Sequence, residues 1–163
     1  MKQFVVILLL CFLPIKVFST EQVTDYLIFG KDTLRIYKLQ GYFNSPFEKI
    51  DIDSITYNIR KHKSVAATYC WRGFYAEWKI IDNKLYLSKV FDCQTHEAIN
   101  KIVEEVLGRE FVNGLMNADW VNGSFSCGKG YMHYNYYRYN LILVFEKGEI
   151  IRKDEFQIEK PSL

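Results

Sequence analysis

A thiol just ahead of a helix, with an imidazole three positions on, has the makings of a nucleophile, because a helix N-terminus and a nearby imidazolium both favour the thiolate. Cys93 and His96 in "DCQTHEAINKIVEEVLG" have that spacing. A small hydrolase or thiol enzyme would be built on this pair. The chain offers no third group to orient His96, and neither H-E-x-x-H nor G-x-S-x-G occurs, so no catalytic residue is assigned beyond this alternative.

Recognition chemistry is better represented. In "GYMHYNYYRYN", Gly130 to Asn140, strand alternation would place Tyr131, His133, Tyr137 and Tyr139 on one face. Rigid amphipathic rings give large contact area at low entropic cost, which suits them to binding a partner or a glycan. Arg72, within the aromatic stretch "CWRGFYAEW", is a further candidate for contact with a partner. Other motifs are weaker. "GKG" at 128–130 lacks the Walker spacing and reads as a turn between strands. "DIDS", Asp51 to Ser54, lacks the third ligand and Gly of a calcium loop, and Glu77 alternates outward from a strand. Metal ligands and a cofactor are therefore not expected.

The amino terminus, "MKQFVVILLLCFLPIKVFSTEQ", joins a basic Lys2 to an apolar run and a helix-breaking Pro14, the pattern of a secretory signal peptide cleaved after about Ser19. The run is about half of the ~20 residues that a membrane-spanning helix needs, so no stable span is expected after cleavage. Of the 163 residues, 144 would remain, with 19 basic and 19 acidic side chains. The one dense cationic cluster is "RKHK", Arg60 to Lys63, and a neutral chain of this kind is not expected to bind nucleic acid. Three cysteines remain, Cys70, Cys93 and Cys127, which in an oxidising compartment allow one bridge and one free thiol. All three pairings are open.

These residues belong to elements the pattern predicts in outline. "YLIF" and "TLRIYKL" flank "GKD" as a hairpin. Residues 40–64 give no clear period. "VAATYCW" and "FYAEWKI" put their apolar residues on opposite parities, which a β-bulge or a turn at Arg72-Gly73 would reconcile by turning Tyr69, Trp71, Phe74 and Trp78 inward. A two-residue turn at Asp82-Asn83 sets Ile80 against Leu85, Trp78 against Leu87 and Phe74 against Phe91, with Ala76 opposite Lys89 as the one mismatch. Thr95 would cap a helix with Ala98, Ile99, Ile102, Val103 and Val106 on its apolar stripe and Gly108 at its end. "ADWVNGSFSCG", "YMHYNYYRY", "LILVF" and "EIIRKDEF" read as strands joined at "GKG", "RYN" and "EKGE". The expected fold is a single α+β domain over 20–163, with a loose tail after about 156: a twisted, mostly antiparallel meander with one amphipathic helix packed across one face.

From Ala67 to Leu87, "ATYCWRGFYAEWKIIDNKLYL" resembles a group of small bacterial proteins of unknown function that share a Trp-Arg-Gly-aromatic segment, an aromatic-rich strand and a Leu-Tyr-Leu strand. Trp120, Gly123, Gly130-Tyr131 and "FEKGEI" are similar to that group's second half. The chain departs from it around "MHYNYYRYN", where extra tyrosines stand in place of a His-Gly-Tyr-like stretch. The resemblance implies a structural role for Trp71, Arg72 and Gly73 and no reaction. The reading expected from the sequence is an exported bacterial protein, periplasmic or secreted, that binds a protein or glycan of the cell envelope without catalysis.

Overall fold

The computed structural model describes residues 22–37, 45–50, 52–62, 68–133 and 136–158. The segment expected to be a signal peptide and the end of the tail lie outside them, as does Asp51 of "DIDS". The fold is α+β, with a sheet that among the described residues is antiparallel but for one pair of strands.

Strands β1 (Tyr26–Phe29) and β2 (Asp32–Tyr37) form the expected first hairpin. A short 3-10 helix (Pro46–Lys49) and α1 (Ile52–His62) follow, within the stretch that showed no clear period in the sequence. Strands β3 (Phe74–Ile81) and β4 (Lys84–Asp92) make the second hairpin, turning at Asp82 and Asn83, whose φ angles of 49° and 62° match the right-handed twist of the flanking strands. Then come α2 (Asn100–Leu107), the two-residue β5 (Met116–Asn117), β6 (Gly123–His133), β7 (Tyr136–Glu146) and β8 (Glu149–Gln157). The order across the sheet is β3-β1-β2-β6-β7-β8-β4-β5, and β3 also pairs with β4, so the sheet curls round on itself. Parallel pairing of β1 with β3 brings the first strand beside the aromatic segment.

The β3–β4 register holds at the turn, with Ile80 against Leu85 and Trp78 against Leu87. It then shifts by one residue between Glu77 and Trp78, so that Ala76 faces Val90, Glu77 faces Lys89 and Phe74 faces Asp92 in place of the expected Phe91. The bulge thus falls five residues beyond Arg72-Gly73, where it removes the Ala76–Lys89 mismatch by pairing small apolar with apolar. The parity change at Gly73 is a turn: its N–H donates to the Cys70 carbonyl at 3.1 Å and its φ is +79°.

Two connections differ from the sequence reading. Gly128–Gly130 and Arg138–Asn140 are inside strands β6 and β7, and that hairpin reverses between His133 and Tyr136. Gly128 is there because Tyr137 packs against it: a Cβ at 128 would lie 2.6 Å from the Tyr137 Cβ and 2.8 Å from the Tyr139 carbonyl oxygen. Gly128→Ala is expected to destabilise the protein by about 1–3 kcal/mol through this overpacking, measured as a lower urea midpoint at unchanged m. Helix α2 begins at Asn100 rather than at Thr95, because Asn100 uses its side chain to accept from the Val90 N–H (2.9 Å) and donate to the Ser88 carbonyl (3.1 Å), tying the helix start to β4. Gly108 ends it in the left-handed conformation, φ +61°.

Leu27, Leu34, Ile36, Phe74, Trp78, Leu85, Phe125, Leu141 and Leu143 fill the inside of the sheet, joined by Phe47, Ile55 and Ile59 from the helical stretch and Val103 from α2. The two helices pack against each other. "LILVF" is the second half of β7, between β6 and β8, with Leu141, Leu143 and Phe145 buried.

Candidate functional site

The aromatic segment is divided by its own turn. Phe74 and Trp78 are buried without exposure, whereas Tyr69 and Trp71, expected inside, stand out at 38 % and 70 %. Burial of both sets would need the strand to run on through residue 73, and the Cys70–Gly73 turn ends it there.

Both backbone groups of Trp71 are engaged. Its N–H donates to Gln22 Oε1 (3.3 Å), and its carbonyl accepts from the Arg60 guanidinium of α1. Gln22 also donates to the Thr68 carbonyl, and Val23 N–H to that of Tyr69 (2.8 Å), so the chain before β1 is laced to the chain before Trp71. On one side of Trp71 is Cys70, disulfide-bonded to Cys93; on the other is Arg72.

Arg72 points inward. Its Nη2 lies 2.6 Å from Asp25 Oδ1, and its guanidinium stands 5.0 Å from the centre of the Phe74 ring. Asp25, fully buried, also accepts from the Ala76 N–H (3.0 Å), Trp78 Nε1 (3.1 Å) and Ser45 Oγ (2.5 Å). A buried carboxylate is tolerable only when paired and hydrogen-bonded, and here it fixes the turn, the indole of β3 and the start of the 3-10 helix to one point. Arg72, a candidate for contact with a partner, is held by Asp25 and leaves 21 % of its side chain exposed. Asp25 was not singled out in the sequence, although an acid entering the apolar run "YLIF" calls for a cation or several donors nearby.

Cys93 is not a free thiol: its sulfur is in the bridge to Cys70, one of the three open pairings. His96 does not meet it. The His96 Nδ1 is 3.3 Å from the Tyr75 hydroxyl, and Tyr75 stacks on Phe91 at 5.1 Å. With the sulfur bridged and α2 starting four residues past His96, the thiolate reading lacks both of its supports. Cys127, the free cysteine among the described residues, is buried. Among the described residues no group of three or more His, Cys, Asp or Glu side chains could hold a metal, and no helix is long and apolar enough to cross a membrane.

The tyrosine face is also split. Tyr131 lies opposite Tyr137 across the β6–β7 hairpin; it is 52 % exposed, while Tyr137 is buried and Tyr139 half-buried. Tyr137 is covered because its ring lies 4.7 Å from that of Tyr37, whose hydroxyl donates to Asn140 Oδ1 (2.6 Å). His133 closes β6, and its side chain lies outside the described residues. A shallow depression of about 490 Å³ between β4 and the start of α2, lined by Ser88, Lys89, Ile99 and Lys101, holds none of the residues singled out.

Burial raises the Tyr37 hydroxyl well above its ordinary 10.0, helped by Cys127 and Tyr137; it raises Cys127 above 9.0; and burial with the Glu155 charge brings Tyr139 to about 12. Each neutral form is favoured in the fold, so the stabilisation is complete below the unfolded values and is lost as pH rises toward the folded ones. Melting temperature should hold to about pH 9 and then fall, with a shallower fall in Tyr37→Phe.

Compared with protein-family models, curated proteins and solved structures, the chain matches none.

Proposed function

We propose that this is an exported, non-catalytic binding domain that recognises a protein of the cell envelope through the aromatic surface around Trp71. The observation that carries the reading is a large apolar side chain 70 % open to water on a turn whose backbone is held by a disulfide, a buried ion pair and an Arg–carbonyl contact. Immobilising the turn in advance removes an ordering cost from association, and Trp is the side chain most often found at the energetic centre of an interface. Tyr57, one helical turn before Arg60 on α1, is 69 % exposed and would extend this surface. The disulfide is compatible with export. A glycan is the second reading, favoured by the same flat exposed indole, on which a sugar ring would stack.

Trp71→Ala is expected to leave the melting temperature within about 2 °C, since a surface change away from packing costs little. It should abolish capture of envelope proteins by the immobilised domain, and partner binding should shield the wild-type indole from acrylamide quenching while buried Trp78 stays unchanged. Equal capture by the folded variant would remove the Trp71 surface from consideration. A melting-temperature rise with an envelope polysaccharide and none with protein would favour the glycan.

A further inference from the structure

Strand β8 is paired along one side with β7 from Glu149 to Gln157, but its other side meets β4 only at the Lys84–Glu149 pair, where the Ile150 N–H donates to the Asn83 carbonyl. From Ile151 to Gln157 that edge has no strand beside it among the described residues. The Ile158 N–H donates to the Arg138 carbonyl at 2.9 Å, and since antiparallel residues alternate between bonding inward and outward, Gln157, Glu155 and Lys153 turn their N–H and C=O to the open edge. All seven side chains are exposed.

We infer that this edge is a self-pairing surface, its occupant the β8 strand of a second copy, antiparallel about a two-fold axis. Such an axis must pass through a residue and its own counterpart, because opposite residues in a sheet share a face. The open segment is centred on Asp154, and that register sets Lys153 against Glu155 of the second copy, twice, at the outward-bonding positions. Arg152 lies opposite the second copy's Phe156, a cation beside an aromatic ring. Within one strand Lys153 already pairs with Glu155 (2.7 Å) and Arg152 with Asp154 (3.0 Å), so the two-fold completes an alternating quartet on one face. The unfavourable contact is Asp154 against itself at the axis. Charges on an edge strand ordinarily discourage pairing with an arbitrary strand; this order of signs disfavours most partners and matches its own reverse.

The register makes the inference testable by charge reversal. Wild-type protein followed by sedimentation velocity across a wide range of concentration should show a reversible monomer–dimer equilibrium. Asp154→Asn should tighten it several-fold, because like charges directly opposite are unfavourable by roughly 0.2–1 kcal/mol, a factor of about 1.4–5. Lys153→Glu and Glu155→Lys should each weaken it about tenfold or more, since each places two like-charged pairs across the axis. Mixed together, those two variants should form a heterodimer, and amide exchange at Lys153, Glu155 and Gln157 should slow in the dimer. A wild-type monomer at every concentration would overturn the inference. So would a dimer indifferent to the charge reversals, or one that the mixture fails to restore.

Discussion

Arg72→Met is expected to lower the unfolding free energy by about 3–5 kcal/mol, the range for removing one partner of a buried ion pair and leaving the other behind. Asp25 has no route to solvent at 0 % exposure, and its donors Ser45, Ala76 and Trp78 hold it in place, so the carboxylate left by Arg72→Met stays where it is. Asp25→Asn should cost less, because the remaining Arg72 is partly exposed and turns toward water. The double variant Asp25→Asn/Arg72→Met should be more stable than the sum of its parts, and a double-mutant cycle by urea unfolding gives the coupling. Additive effects would show that the two groups do not depend on each other. Because the pair holds the turn that presents Trp71, Arg72→Met should also weaken partner capture.

Cys70→Ser/Cys93→Ser is expected to cost about 3 kcal/mol, the loop-closure value for cross-linking residues 23 apart. The bridge joins the Trp71 turn to the loop after β4, so the same substitutions should speed amide exchange at Trp71 and Gly73 before global unfolding begins. Dithiothreitol should reproduce the drop in melting temperature in wild type and have no effect on the double serine variant. Buried Cys127 supplies no replacement partner.

Much of the sheet was legible because its signals are local. Paired turn residues at Asp82-Asn83 and Lys147-Gly148 adopt the positive φ that tight hairpins demand, and alternation then sets which side chains face in. The Gly108 stop and the existence of α2 follow from the same short-range logic. The glycines of "GKG" misled for a physical reason: glycine serves a turn and a close approach equally well, and only the position of the Tyr137 ring distinguishes them. A turn at "GKG" places Tyr131 and Tyr137 on one strand, whereas they face each other across two. The start of α2 at Asn100 was likewise hidden, because its partners Ser88 and Val90 are on a different element.

The α+β class, the hairpins turning at Gly30, at Asp82-Asn83 and at Lys147-Gly148, and a dense aromatic segment are legible in the residues alone, since period and turn chemistry depend on near neighbours. Only the tertiary structure decided that Cys70 pairs with Cys93, that Asp25 neutralises Arg72 from 47 positions away, and that one indole of the segment is sealed while the other faces water. The ion pair depends on the parallel pairing of β1 with β3, which sets Asp25 beside Ala76 and Trp78 and leaves no mark in the spacing of adjacent residues; the bridge depends on the β3–β4 hairpin, whose open end brings Cys93 to Gly73.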